Sequence, residues 1–233
     1  MLTIQYLFVC LSYFIIVSAP FIKPCEWNNR TCLKASSQEA IPYLAVGLPD
    51  LGVPAFDPLP LKPMEIHQGQ LHVSGKDMTL KGLKKCKAVN LVRNPKKSTL
   101  VIEVDCPIKV TGKYNATGQL LVIPIEGSGK FVVRTGKCKS SITGQLETYE
   151  VNSQKHWKII PKSYSYEPKK KWGFRFENLF NGDEAKAVET ILDQGWKDII
   201  KIVGNPVFES AMEIITGDIN KFFAVLPTDQ LEK

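Results

Sequence analysis

The sequence predicts an α+β chain in which a long antiparallel sheet wraps around one long C-terminal helix. Three observations predict it. Residues 70 to about 178 hold segments such as STLVIEV, GQLLVIPI and GKFVVRTG, rich in Val and Ile and bounded by Gly, Pro or Asn. After Asn181-Gly182 the apolar period changes from two to that of a helix, through Val188, Ile191, Leu192, Trp196, Ile199, Ile200, Val203, Val207, Ala211, Ile214, Ile215, Ile219, Phe222 and Phe223. Residues 184–226 at ~1.5 Å each would span ~64 Å. A compact globule of that chain length is only ~45 Å across. Such a helix breaks or sets the long axis of the molecule, and only the strand region can cover its apolar stripe.

The first 19 residues, MLTIQYLFVCLSYFIIVSA, are apolar, uncharged and end in the small-residue site Val17-Ser18-Ala19, as a signal peptide does. Pro20 directly after the cut is awkward and could move it by a few residues. A membrane anchor is the alternative, but the apolar run Leu7–Ile22 falls short of the ~20 residues a spanning helix needs. The expectation is a secreted, extracellular chain whose residues 20–233 form a single domain.

Residues 33–47 read as a short helix. Gly47 to Pro63, GLPDLGVPAFDPLPLKP, is too rich in proline for a helix and is expected to be extended. Its Leu48, Leu51, Val53, Phe56, Leu59 and Leu61 mark it as packed rather than as a free linker. Gly127-Ser128-Gly129 reads as a tight turn between two strands. The last strand alternates cleanly, with Trp172, Phe174 and Phe176 on one face and Arg175 and Glu177 on the other. Asp183 can cap the helix and Pro227 follows its end. Gly204-Asn205-Pro206 is expected to kink or break it.

Cys10 leaves with the signal, so an odd number of cysteines remains. Cys25 and Cys32 enclose the short polar loop EWNNRT and are expected to bridge. Cys86 and Cys106 flank the turn Asn94-Pro95-Lys96-Lys97. If that hairpin pairs Arg93 with Thr99, Cys86 falls opposite Cys106, and side-chain geometry then decides whether they bond. Cys138 is left over; the chain is expected to be a monomer, with a disulfide-linked dimer through Cys138 as the alternative. A metal site is disfavoured, because no two cysteines or histidines show zinc spacing. Asn29-Arg30-Thr31 and Asn115-Ala116-Thr117 are glycosylation sequons, with Asn29 and Asn115 as acceptors.

Composition narrows the function. Hydrophobic residues at 44% and charged residues at 23% are ordinary globular values, which exclude a disordered or fibrous chain. The net charge of +7 is too modest and dispersed for a dedicated nucleic-acid binder. Lys84-Lys85, Lys96-Lys97 and Lys169-Lys170-Lys171 read as soluble strand tips, with docking on a receptor or an anionic membrane as the alternative. His67, His72 and His156 read as surface or structural. No nucleophile elbow and no nucleophile–base constellation occur, so no enzyme and no cofactor are expected.

The chain also resembles the takeout and juvenile hormone-binding family of secreted insect proteins over essentially its whole mature length. The landmarks run in order. They are Cys25 and Cys32; Gly47-Leu48-Pro49 leading to Phe56-Asp57-Pro58-Leu59; Gly112-Lys113-Tyr114; Gly118 to Ile125 with Gly127-Ser128-Gly129; Phe176 to Asp183; Gly195-Trp196-Lys197-Asp198-Ile199; and Leu226 to Leu231. The resemblance implies a strongly curved antiparallel sheet around the C-terminal helix, in the tubular lipid-binding class. It also implies an internal apolar tunnel for juvenile hormone-like terpenoids or fatty-acid-like lipids. Circadian, feeding and chemosensory roles in the family suit the same residues. Cys86, Cys106, Cys138 and the basic balance lie outside the family's common pattern.

Alternation places Phe131, Val133, Trp172, Phe174 and Phe176 on inward faces, joined by Leu121 and Ile123 if the hairpin register allows. From the helix, Trp196, Ile199, Ile200 and Val203 face the sheet. These are the expected ligand-lining residues, with Tyr114 or a threonine as the polar group that sets specificity. The alternative is a tunnel filled by structural side chains, in a protein that acts through its surface.

Overall fold

The computed structural model describes residues 19–120, 123–179, 190 and 194–233. The expected signal peptide, the helix-start residues 183–189 and 191–193, and the predicted lining residue Leu121 lie outside them. Ile123 is placed in its strand, and its side chain is not described.

Helix α1 (Arg30–Val46) begins at Asn29, whose side chain accepts from the Cys32 amide at 3.0 Å. Pro42 lies inside it, and Gly47 ends it at a positive φ. Gln38 fastens the helix to the sheet much as a strand would: its amide oxygen accepts from Ala88 N at 2.8 Å and its amide nitrogen donates to Cys86 O at 3.4 Å. The proline-rich stretch does pack. Val53, Phe56, Leu59 and Leu61 are all buried.

The strands are β1 (Leu59–Pro60), β2 (Met64–Gln68), β3 (Leu71–Lys81), β4 (Lys87–Asn94), β5 (Thr99–Cys106), β6 (Lys109–Leu120), β7 (Ile123–Thr135), β8 (Cys138–Val151), β9 (Gln154–Pro168) and β10 (Trp172–Phe176). All are antiparallel. The expected wrap is built as two hydrogen-bonded sheets. One runs β1-β3-β6-β7-β10 with β2 also on β3; the other runs β4-β5-β8-β9. Strands β6 to β9 run 12 to 15 residues each, far above the usual ~5–6. Length is what lets them follow the helix.

That helix comprises Trp196–Ile199, a π-type turn at Ile200–Gly204, and Asn205–Val225. Pro206 does not break it. Ile199, Ile200, Gly204 and Asn205 all keep right-handed helical dihedrals. The ladder instead widens by one residue in the turn before the proline, a common way to absorb a residue without an N–H. The thirty residues Trp196–Val225 span ~45 Å. Their N-terminal half packs on the six-stranded sheet, in a cluster with Leu71, Val110, Phe131 and Leu179. Their C-terminal end packs between the proline-rich segment and the four-stranded sheet, through Phe222, Phe223 and Leu226.

Two sequence readings change here. Gly127-Ser128-Gly129 is not a turn; it lies inside β7, paired with Ala116, Asn115 and Tyr114 of β6. Residues 177–179 cross directly over these glycines. A Cβ on Gly127 would stand 2.2 Å from Asn178 O, and one on Gly129 2.7 Å from Glu177 O. The glycines serve close approach of a distant backbone, which resembles a turn in sequence. The β4–β5 register is also one residue off the expectation: Arg93 faces Leu100, and Asn94 faces Thr99. A bulge between Ala88 and Asn90 restores the offset, so Lys87 faces Asp105 and Cys86 reaches Cys106 after all.

Candidate functional site

The two sheets, α1 and the C-terminal helix border a cavity of about 400 Å³ that is partly open to solvent. Its wall runs from Leu71, Tyr114 and Leu179 at one end to Trp157, Phe223 and Leu231 at the other, and is almost wholly apolar. Protein interiors normally pack to crystal density. A space of this size left unfilled forgoes packing contacts that a solid core would make. A cavity that size is within the range of small-molecule sites, ~300–1,000 Å³.

The strand residues expected on the inner face meet there in register. Phe176 lies opposite Phe131, Phe174 opposite Val133 and Trp172 opposite Thr135, and all six border the cavity. The Phe131 and Phe176 rings sit 6.1 Å apart. Ile199, Ile200 and Val203 border it from the helix. Trp196 does not. It lines a separate cleft with Tyr164, Tyr166 and Phe208. Trp157, missed by the sequence reading, lines the cavity instead; β9 alternates weakly and hid its inward face.

Tyr114 borders the cavity, but its hydroxyl is already engaged, donating to Glu177 O at 2.6 Å. Burial, with the Glu177 charge second, pushes that phenol above its ordinary value. It clips residue 177 over β7 rather than facing a ligand. The Trp172 indole N–H, by contrast, is buried with no partner among the described residues. Arg93 stands in the wall beside Trp157, its guanidinium carbon 5.3 Å from that ring's centroid.

Cys25–Cys32 and Cys86–Cys106 are both disulfides. Cys138 is free, buried, and faces Cys106 across the β5–β8 ladder. A bridge to a second copy would require this buried thiol to become exposed. Burial is also the main force that raises the Cys138 thiol above its ordinary 9.0. A raised folded pKa gives stability that is full below the unfolded value and declines above it. The expected result is a loss of stability as pH climbs past 9.0 that is smaller in Cys138→Ala, read by urea denaturation at pH 8 and pH 10. Alkylation of the thiol should need denaturant.

The three lysine clusters stand at tips. Lys84 and Lys85 lie in a 3-10 turn before β4, Lys96 and Lys97 in the β4–β5 turn, and Lys169 to Lys171 between β9 and β10. His67 and His72 pair across β2–β3 with their Nδ1 atoms 2.7 Å apart at the surface. His156 is buried against the Phe223 carbonyl at 3.2 Å. Asn29 and Asn115 are both exposed.

Antiparallel strands wrapped around one long helix, with an apolar cavity between them, form the architecture that the resemblance to the takeout family implies. The family model described as "Haemolymph juvenile hormone binding protein (JHBP)" matches residues 5–233, and the chain belongs to that family. It is 25% identical over 227 residues to the circadian clock-controlled protein daywake of Drosophila melanogaster, covering 90% of this chain and 86% of that one. It is 26% identical over 140 residues to a putative beta-carotene-binding protein of Schistocerca gregaria, covering 58% of this chain and 56% of that one. The crystal structure of takeout 1 from Epiphyas postvittana superposes with a TM-score of 0.84 at 28% identity, covering 91% of this chain and all of that chain. Among the described residues, no helix is long and apolar enough to cross a membrane.

Proposed function

We propose that this protein is a secreted, non-enzymatic carrier that sequesters one small hydrophobic ligand, a terpenoid or fatty-acid-like molecule, between its sheets and its helix. The observation that carries the reading is the 400 Å³ apolar cavity between sheets and helix, where a solid core would otherwise add stability. Apolar contact supplies the affinity, at roughly 25 cal/mol per Å² removed from water. Phe131, Val133, Trp172, Phe174, Phe176, Ile199, Ile200 and Val203 form the wall that the ligand touches. Residues 1–19 direct secretion and are removed, and Asn29 and Asn115 carry glycans on exposed faces. Membership of the juvenile hormone binding family and the name of the locust relative support the ligand class.

The test is organic extraction of protein secreted from insect cells, followed by mass spectrometry. A stoichiometric apolar molecule is expected. A protein that yields none, and takes up neither added terpenoid nor fatty acid, ends the carrier reading. Emission supplies a second prediction. Ligand uptake should change the fluorescence of Trp157 and Trp172, which border the cavity, and leave Trp27 and Trp196 unchanged. Single Trp→Phe variants assign the signal, and a response confined to Trp196 would contradict the placement.

A further inference from the structure

Arg93 carries an unmet demand at one end of the cavity. A guanidinium is all donor, with five N–H groups and no acceptor. Its Nε and Nη1 are buried, and neither makes a hydrogen bond among the described residues. Glu232 comes within 3.3 Å of Nε and forms an ion pair, but without the alignment of a hydrogen bond. Trp157 lies against the guanidinium and holds it in place. Both ends of the ion pair border the cavity, among Leu91, Leu100, Phe223 and Leu231. Buried donors are almost always paired, yet the acceptors that border the cavity, Asn90, Glu103 and Glu232 among them, make no hydrogen bond to these two nitrogens. An acceptor carried by a ligand would meet this demand.

We propose that Arg93 is the polar anchor of the cavity and that the ligand is an apolar chain ending in a neutral carbonyl oxygen. This rests on the carrier reading and sharpens it. The neutrality follows from Glu232. Its carboxylate already balances the guanidinium, so an incoming carboxylate would meet a like charge in a site of low dielectric. A carbonyl accepts from Nη1 and brings no second negative charge. Arg93 therefore selects for the oxygen and Glu232 against the acid.

The experiment compares displacement of a fluorescent lipid probe by methyl palmitate, palmitate and hexadecane at pH 7. The wild type should bind the ester at least tenfold tighter than the acid. Arg93→Met should cost the ester at least tenfold and leave hexadecane unchanged. Glu232→Gln should narrow the ester–acid gap by raising the affinity for palmitate. Because Arg93→Met strands a buried carboxylate, the double variant Arg93→Met/Glu232→Met is run beside it and should give the same loss for the ester. Equal losses for ester and hydrocarbon, no loss for the ester, or palmitate binding as tightly as its ester in the wild type would each overturn the proposal. A wild type that binds none of the three defeats the carrier reading itself, which is a different failure.

Discussion

Replacing Asn220 by Leu should lower the unfolding free energy by about 2–4 kcal/mol, because two buried backbone groups lose their partner at once. β9 is the last strand of the four-stranded sheet, so its outward N–H and C=O groups meet no neighbouring strand. At Ile159, which is 1% exposed, water cannot take that place. Asn220 on the helix does: its side-chain oxygen accepts from Ile159 N at 2.7 Å, and its side-chain nitrogen donates to Ile159 O at 2.9 Å. One amide thus acts as a single residue of an absent strand and fixes the helix to the sheet edge. Leu has nearly the same shape and none of the chemistry. At ~2–4 °C per kcal/mol for a chain of this size, the midpoint should fall by roughly 5–15 °C. The check is urea denaturation with an unchanged slope. A loss under about 0.5 kcal/mol would mean that the pair contributes nothing net.

Filling the cavity should abolish uptake without unfolding the protein. Ala116 on β6 and Ala211 on the helix are buried and border the cavity from opposite walls. In a solid core, Ala→Phe at either position costs ~1–3 kcal/mol through overpacking. Here the ring has about 400 Å³ to enter, so the midpoint should hold or rise. The affinity for an apolar fluorophore should fall at least tenfold in each variant and further in the double variant. Stability and binding move in opposite directions only if the space is real and the ligand occupies it. Loss of stability with affinity intact would place the ligand elsewhere.

Tyr166 shows how the helix is seated at its other end. Its hydroxyl lies 2.5 Å from Asn205 Oδ1, one residue before Pro206, and its ring is 4.5 Å from that of Phe208. Burial raises this phenol too. The contacts bracket the π-type turn from the sheet side, at the place where the sequence alone led us to expect a kink or a break. Trp196 lines the cleft beside them rather than the cavity.

What the sequence determined by itself is what short-range periodicity encodes. Alternation at Trp172, Phe174 and Phe176 set the inner face of β10, and the helical period of the apolar residues from Trp196 to Phe223 placed the described helix. The short loop between Cys25 and Cys32 set one disulfide. Apolar side chains among the prolines of residues 47–63 foretold packing where composition alone suggested a linker. The order of landmarks along the chain carried the family. Only the tertiary structure decided the rest, because it depends on segments far apart in the chain. The 127–129 glycines are explained by backbone fifty residues later, and the bulge at Val89 by the partner strand. Asn220 meets Ile159 across 61 positions, and Arg93 meets Glu232 across the length of the domain. A side chain's local pattern says which way it faces. What it faces is set by long-range register and close approach, which one strand or helix cannot record.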